Sequence, residues 1–90
     1  MKTKKEFIEE NQDAITEQVH RMIDGFREQL NNGFVDYIYD IDDQLSPGVL
    51  LAAMDELKAR IERYGWDIEI ELKETNVRNA SFRKLHIFIN

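Results

Sequence analysis

Ninety residues, a formal charge of −6 from twelve Lys/Arg against eighteen Asp/Glu, and no cysteine describe one small acidic domain. A chain of this length buries only about 60–65% of the surface that its unfolded form exposes, so its stability margin is narrow. The missing cysteines exclude disulfides, thiolate metal sites and a thiol nucleophile, and the net acidity removes the electrostatic footprint of a general nucleic-acid binder.

The chain opens Met-Lys-Thr-Lys-Lys, and Glu6, Glu9 and Glu10 follow with no apolar core, so no secretory signal is expected. No apolar run approaches the roughly 20 residues of a membrane span. A cytoplasmic location fits both features and the absence of cysteine. Thr3-Lys4-Lys5-Glu6 has the spacing of a capping box, with Thr3 as N-cap and Glu6 three residues on. Ile8, Ile15, Val19, Met22, Ile23, Phe26 and Leu30 then fall within an arc of roughly 100° at helical spacing. Gln12 interrupts this stripe, His20 lies at its edge as a partly buried structural histidine, and Gly25 falls on the far side. The phase predicts one helix to about Asn31, ended by Asn32-Gly33. At roughly 28 residues it would reach about 42 Å, longer than a small sheet covers. The overhang near Phe7 and Ile8 then offers a dimer contact; a break at Asn11 or Gly25 is the alternative.

Gly33–Asp42 is rich in β-branched and aromatic residues and reads as a strand, with a helix as the alternative. As a strand it places Val35, Tyr37, Tyr39 and Ile41 on one face and Phe34, Asp36, Ile38 and Asp40 on the other. Ser46-Pro47 then starts a helix, with serine as N-cap and proline at the first position. Leu45 and Leu50 stand at staple positions. Leu50, Met54, Leu57, Ile61 and Tyr64 form its stripe, and Gly65 is placed to end it in the left-handed conformation. Trp66, Ile68, Ile70 and Leu72 alternate with Asp67, Glu69, Glu71 and Lys73, the pattern of a half-buried strand. Thr75–Ser81 reads as a polar loop. Leu85, Ile87 and Ile89 alternate with Lys84, His86 and Phe88 in a final strand. The last two strands should pair as a hairpin, with Lys84 and His86 facing the acidic row Glu69 and Glu71.

These elements predict an α+β domain over residues 1–90 in the order α-β-α-β-β. Two helices should pack on one face of a three-stranded mixed or antiparallel sheet. The final strand is expected in the middle, with a plain meander as the alternative.

Little in the chain carries chemistry. Asp36, Asp40, Asp42 and Asp43 are dense in charge but lack the ligand spacing, glycine and terminal glutamate of a calcium loop. Carboxylates there suit the positive end of the following helix. His86 beside Glu69 or Glu71 could form a proton-transfer pair only within a cleft, and a flat sheet face offers none. Ser46 is assigned to a cap and Ser81 to a loop, which leaves a serine triad without support. The four glycines make neither a P-loop nor a dinucleotide fingerprint. No metal, cofactor or catalytic residue is expected.

What remains is the sheet face away from the helices. Phe34, Ile38, Phe88 and also Phe82 would stand there among Asp36, Asp40, Glu69, Glu71, Lys84 and His86. Apolar and aromatic groups within a frame of charge fit a protein-contact surface. The expected function is a non-enzymatic module that binds another protein, as a homo-oligomer. The alternatives are an acidic inhibitor that mimics nucleic acid and a small-ligand binder with its pocket at an oligomer interface.

The succession of long helix, Asn32-Gly33, aromatic strand, the capped helix and strand Leu57–Ile70, and the basic final strand Arg83–Asn90 resembles small accessory proteins of tailed bacteriophages. That resemblance spans most of the chain. It implies a viral protein that binds a protein of the host or of the phage, or that inhibits a host enzyme or defence system.

Overall fold

The computed structural model describes residues 1–78 and 80–89, and the side chains of these except at 76, 77 and 80–82. Its elements run α1 (Lys4–Glu10), α2 (Gln12–Asn31), β1 (Asp36–Asp40), α3 (Pro47–Glu62), β2 (Ile68–Val77) and β3 (Ala80–Ile89). The architecture is α+β, with three helices where two were expected. All strand pairs are antiparallel and the order is β1-β3-β2, so the last strand is central.

The first helix divides at Asn11. Its backbone leaves the helical basin at φ −110°, ψ 15°, and its side-chain amide donates to the Phe7 carbonyl at 2.9 Å. An asparagine that bonds its own preceding turn in this way competes with helix continuation. Thr3 caps α1 as its spacing predicts, its hydroxyl accepting from the Glu6 amide at 3.1 Å. The expected overhang is therefore absent. Phe7 and Ile8 pack against the core instead, and the Phe7 ring lies over Gly48 in the first turn of α3. A Cβ at Gly48 would stand 2.7 Å from the Phe7 ring, so the glycine makes room for this contact.

The core lies between the sheet and the α2/α3 pair. α2 contributes Ile15, Val19, Met22 and Phe26; α3 contributes Val49, Leu50, Ala53, Leu57 and Ile61; the sheet contributes Tyr39, Ile68, Leu85 and Ile87. Ser46 accepts from the Val49 amide at 3.2 Å, the cap expected of it. Gly65 takes a left-handed φ of 87° just beyond α3. Two departures lie around that turn. Tyr64 and Trp66 were assigned to the buried stripe and to the core face of β2, yet they are 81% and 40% exposed, because α3 ends at Glu62 and β2 begins only at Ile68.

β1 is shorter than the expected Gly33–Asp42, and Val35 ahead of it is exposed. Tyr37 and Tyr39 do point inward. The Tyr39 hydroxyl donates to the side-chain oxygen of Gln18, the one buried polar residue among those described. Burial raises both tyrosine pKa values above 10; for Tyr37 the neighbouring Tyr39, Asp40 and Glu28 add to it, and for Tyr39 Arg21 opposes it. Gly25, placed by its phase on the far side of the helix, in fact faces β1, and the Tyr37 ring occupies the space of its absent side chain. His20, expected at the edge of the buried stripe, is exposed.

The β2–β3 hairpin is longer than expected. Pairing continues to Val77 opposite Ala80, so most of the Thr75–Ser81 segment read as loop is strand. Arg78 adopts a left-handed φ of 57° at the connection, a conformation tight hairpin turns demand. β1 pairs only with Asp36–Asp40 against Lys84–Phe88, so the distal hairpin runs on as a two-stranded ribbon. No helix among the described residues is long and apolar enough to cross a membrane.

Gly25→Ala separates helix propensity from packing. Propensity alone favours alanine by about 1 kcal/mol, whereas displacing the Tyr37 ring costs about 1–3 kcal/mol. Urea denaturation should show a net loss of up to about 2 kcal/mol in the native background. With Tyr37→Leu already in place, the same substitution should instead stabilise by about 0.5–1 kcal/mol.

Candidate functional site

Strand alternation sends every second residue of the sheet away from the helices. The register builds that open face from three rows across β1, β3 and β2: Asp36–Phe88–Glu69, Ile38–His86–Glu71 and Asp40–Lys84–Lys73. Eight of the nine residues singled out from the sequence thus lie together. The ninth, Phe34, lies just before β1 and is 57% exposed. Its backbone amide bonds the Gln29 carbonyl at 2.9 Å, which ties this approach to the end of α2. Phe82, expected on the same face, lies outside the described side chains.

The face has an apolar and aromatic centre. Ile38 is 56% exposed, a high value for a residue within a paired strand. His86 and Phe88 stand two residues apart on the central strand with ring centroids 4.9 Å apart, and both are half-buried. The outer strands carry the acid: Asp36 and Asp40 on β1, Glu69 and Glu71 on β2.

The charge pairing differs from the sequence expectation. Lys84 and His86 were expected to offset Glu69 and Glu71; instead Lys84 reaches Asp40 at 3.6 Å and His86 reaches Asp36 at 3.3 Å. In the Asp40–Lys84–Lys73 row, Lys73 directly opposes Lys84, and like charges in that position repel. Attraction to Asp40 and repulsion from Lys73 both draw Lys84 toward β1. Among the described residues, Glu69 and Glu71 have no cation within 4.0 Å, so the carboxylates of the β2 edge stay exposed and unbridged.

Arg83, the neighbour of Lys84, points to the helix side. Its guanidinium donates to the carbonyls of Asp42 at 3.1 Å and Leu45 at 3.2 Å, clamping the connection from β1 to α3. Asp42 accepts from the Gln44 amide at 2.9 Å and so shapes the same turn. The aspartate cluster is thereby accounted for as a turn and a helix approach, with Arg83 and Lys84 lining the notch beside Asp40, Asp42 and Asp43. Among the described residues no group of three His, Asp or Glu converges in a way that would hold a metal ion.

The sequence reading missed a second surface feature. A cleft of about 220 Å³ opens between α2 and the end of α3, where Tyr64 and Trp66 stand. Both aromatics fell at core spacings, so periodicity pointed away from it. The only available signal was their position flanking Gly65, where the chain turns out of the helix.

Comparison with known protein families, with curated proteins and with solved structures finds no match to this chain.

Adjacent residues of β3 should respond differently to substitution. Arg83→Met removes two charge-assisted bonds to loop carbonyls and should cost about 1–2 kcal/mol in urea denaturation. Lys84→Met removes an exposed ion pair and should change stability by no more than about 0.5 kcal/mol. Equal losses would contradict the assignment of the two side chains to opposite faces.

Proposed function

We propose that this chain is a small non-enzymatic protein-interaction module, which binds its partner through the open face of the sheet. The observation that carries the reading is Ile38, exposed beside the His86–Phe88 pair and framed by Asp36, Asp40, Glu69 and Glu71. An apolar centre with a polar rim is the usual anatomy of a protein contact. A partner with an apolar knob and a basic surround fits it best: the knob would cover Ile38 and Phe88, and the basic groups would meet Glu69 and Glu71. The resemblance to phage accessory proteins favours a host protein as that partner and a cytoplasmic setting. Self-association as a homo-oligomer belongs to the same reading, since a second copy is also a protein partner.

Mimicry of nucleic acid is the weaker alternative. A mimic needs an unbroken run of negative charge, whereas here Lys84 and His86 stand between the two acidic edges and bond Asp40 and Asp36. Catalysis has less support still, because His86 lies on an open face with no enclosing walls.

Affinity capture from a lysate of the native host provides the test. Ile38→Asp and Phe88→Ala should keep cooperative unfolding with a loss of about 1 kcal/mol or less each, yet remove the captured partner. Leu51→Asp, on the exposed side of α3, should leave capture intact. Retained capture by Ile38→Asp would refute the assignment of this face. Binding should also weaken as salt rises, through the outer carboxylates.

A further inference from the structure

The cleft between α2 and α3 carries features that folding does not use. Its floor is the buried edge of the core, Phe26 and Ile61, and its apolar wall continues through Ile23, Leu30 and Trp66. Tyr64, Arg27 and Arg60 complete its rim. A wider polar vestibule adjoins it, sharing Ile23, Arg27, Arg60 and Tyr64 and adding His20, Asp24 and Arg63.

Two aspects of this arrangement point to a ligand. First, Tyr64 and Trp66 are large aromatics at the edge of the core, and the fold leaves them 81% and 40% exposed. Second, the charge is inverted relative to the rest of the molecule. Within a chain of net charge −6, the cleft and vestibule collect Arg27, Arg60 and Arg63 against Asp24 alone among their lining residues. Arg60 is committed to Glu56 at 2.9 Å. Arg27 and Arg63 have no carboxylate within 4.0 Å among the described residues, and both are exposed. Guanidinium groups beside an apolar, aromatic-walled recess suit a carboxylate or phosphate attached to an apolar body.

We propose that the α2/α3 cleft binds a small amphipathic monoanion, with its ring or short acyl body against Phe26, Ile61 and Trp66 and its anionic head toward Arg27 and Arg63. The volume of about 220 Å³ is below the range of roughly 300–1,000 Å³ typical of drug-sized ligands. The body is therefore one ring or a short chain rather than a dinucleotide or a long lipid. The site lies in the helical layer, so it is independent of the open sheet face and of any partner bound there.

Trp66 is the only tryptophan in the chain, and its indole N–H resonance and fluorescence report on the cleft directly. The probes are 4-phenylbutyrate and 4-phenylbutan-1-ol, which share an apolar body and differ in the charged head. Titration into the intact protein should shift the Trp66 indole signal saturably, with the acid binding at least tenfold more tightly than the alcohol. The double variant Arg27→Gln/Arg63→Gln should reduce acid binding to the level of the alcohol and leave the alcohol unchanged. Asp24→Asn removes the opposing carboxylate and should tighten acid binding two- to threefold. Equal affinity for acid and alcohol would overturn the proposal. So would undiminished acid binding by the folded double variant, an Asp24→Asn protein that binds the acid no better, or the absence of saturation at millimolar acid.

Discussion

The structure depends on how β1 docks against α2. β1 is an edge strand of five residues, too short to hold its place through one ladder of hydrogen bonds alone. Its two inward side chains are tyrosines, each needing space for a ring and, where buried, a partner for a hydroxyl. α2 provides both on one face. Gly25 leaves a hollow for the Tyr37 ring, and Gln18, two helical turns earlier, accepts the Tyr39 hydroxyl. Gln18 is only 6% exposed, so without this bond a buried amide would be left unsatisfied. Together these contacts fix both the position of β1 along the helix and its rotation.

The character of the open face follows from that docking. Side chains alternate along a strand, so a slip by one residue would turn Asp36, Ile38 and Asp40 toward the core and the tyrosines toward water. With the tyrosines held by α2, Asp36, Ile38 and Asp40 are committed to the outer face beside Phe88, His86 and Lys84. The outer face is therefore a consequence of two positions on a helix that lies on the other side of the sheet. Its apolar centre has no role in the core, which is closed without it.

Local signals carried much of this fold. Ser46-Pro47 and Gly65 bracket α3 because capping and left-handed backbone depend on single residues. The alternation Ile68–Glu69–Ile70–Glu71 marks β2 because half-buried strands repeat every two residues. The features that were not legible depend on contacts between distant segments. Gly25 looks like a weak point in a helix until Tyr37, twelve residues later, is placed on it. Gln18, beside the apolar stripe at i+3 from Ile15, has no partner for its amide until Tyr39 reaches it. The hairpin reads as a loop over Thr75–Ser81 because its polar residues lack alternation and Arg78 gives no glycine signal for its positive φ. Tyr64 and Trp66 have core spacing, but the helix ends before one and the strand begins after the other. The nine residues of the candidate face were legible for the opposite reason: strand parity alone sorts eight of them, and the register only brings the strands together. The Arg27–Arg63 cleft was not, since its walls come from two helices and a turn.

One sheet thus has a closed face under the helices and an open face exposed to solvent. Solvent paramagnetic NMR tests this directly, using a soluble gadolinium chelate and a sample diluted until its relaxation is that of a monomer. The Ile38 methyl signals should broaden strongly, while the Leu85 and Ile87 methyls on the opposite face of the sheet should be protected. Protection of Ile38 in the monomer, with broadening at Ile87, would mean that β1 and its partners present the other face, and would contradict this arrangement.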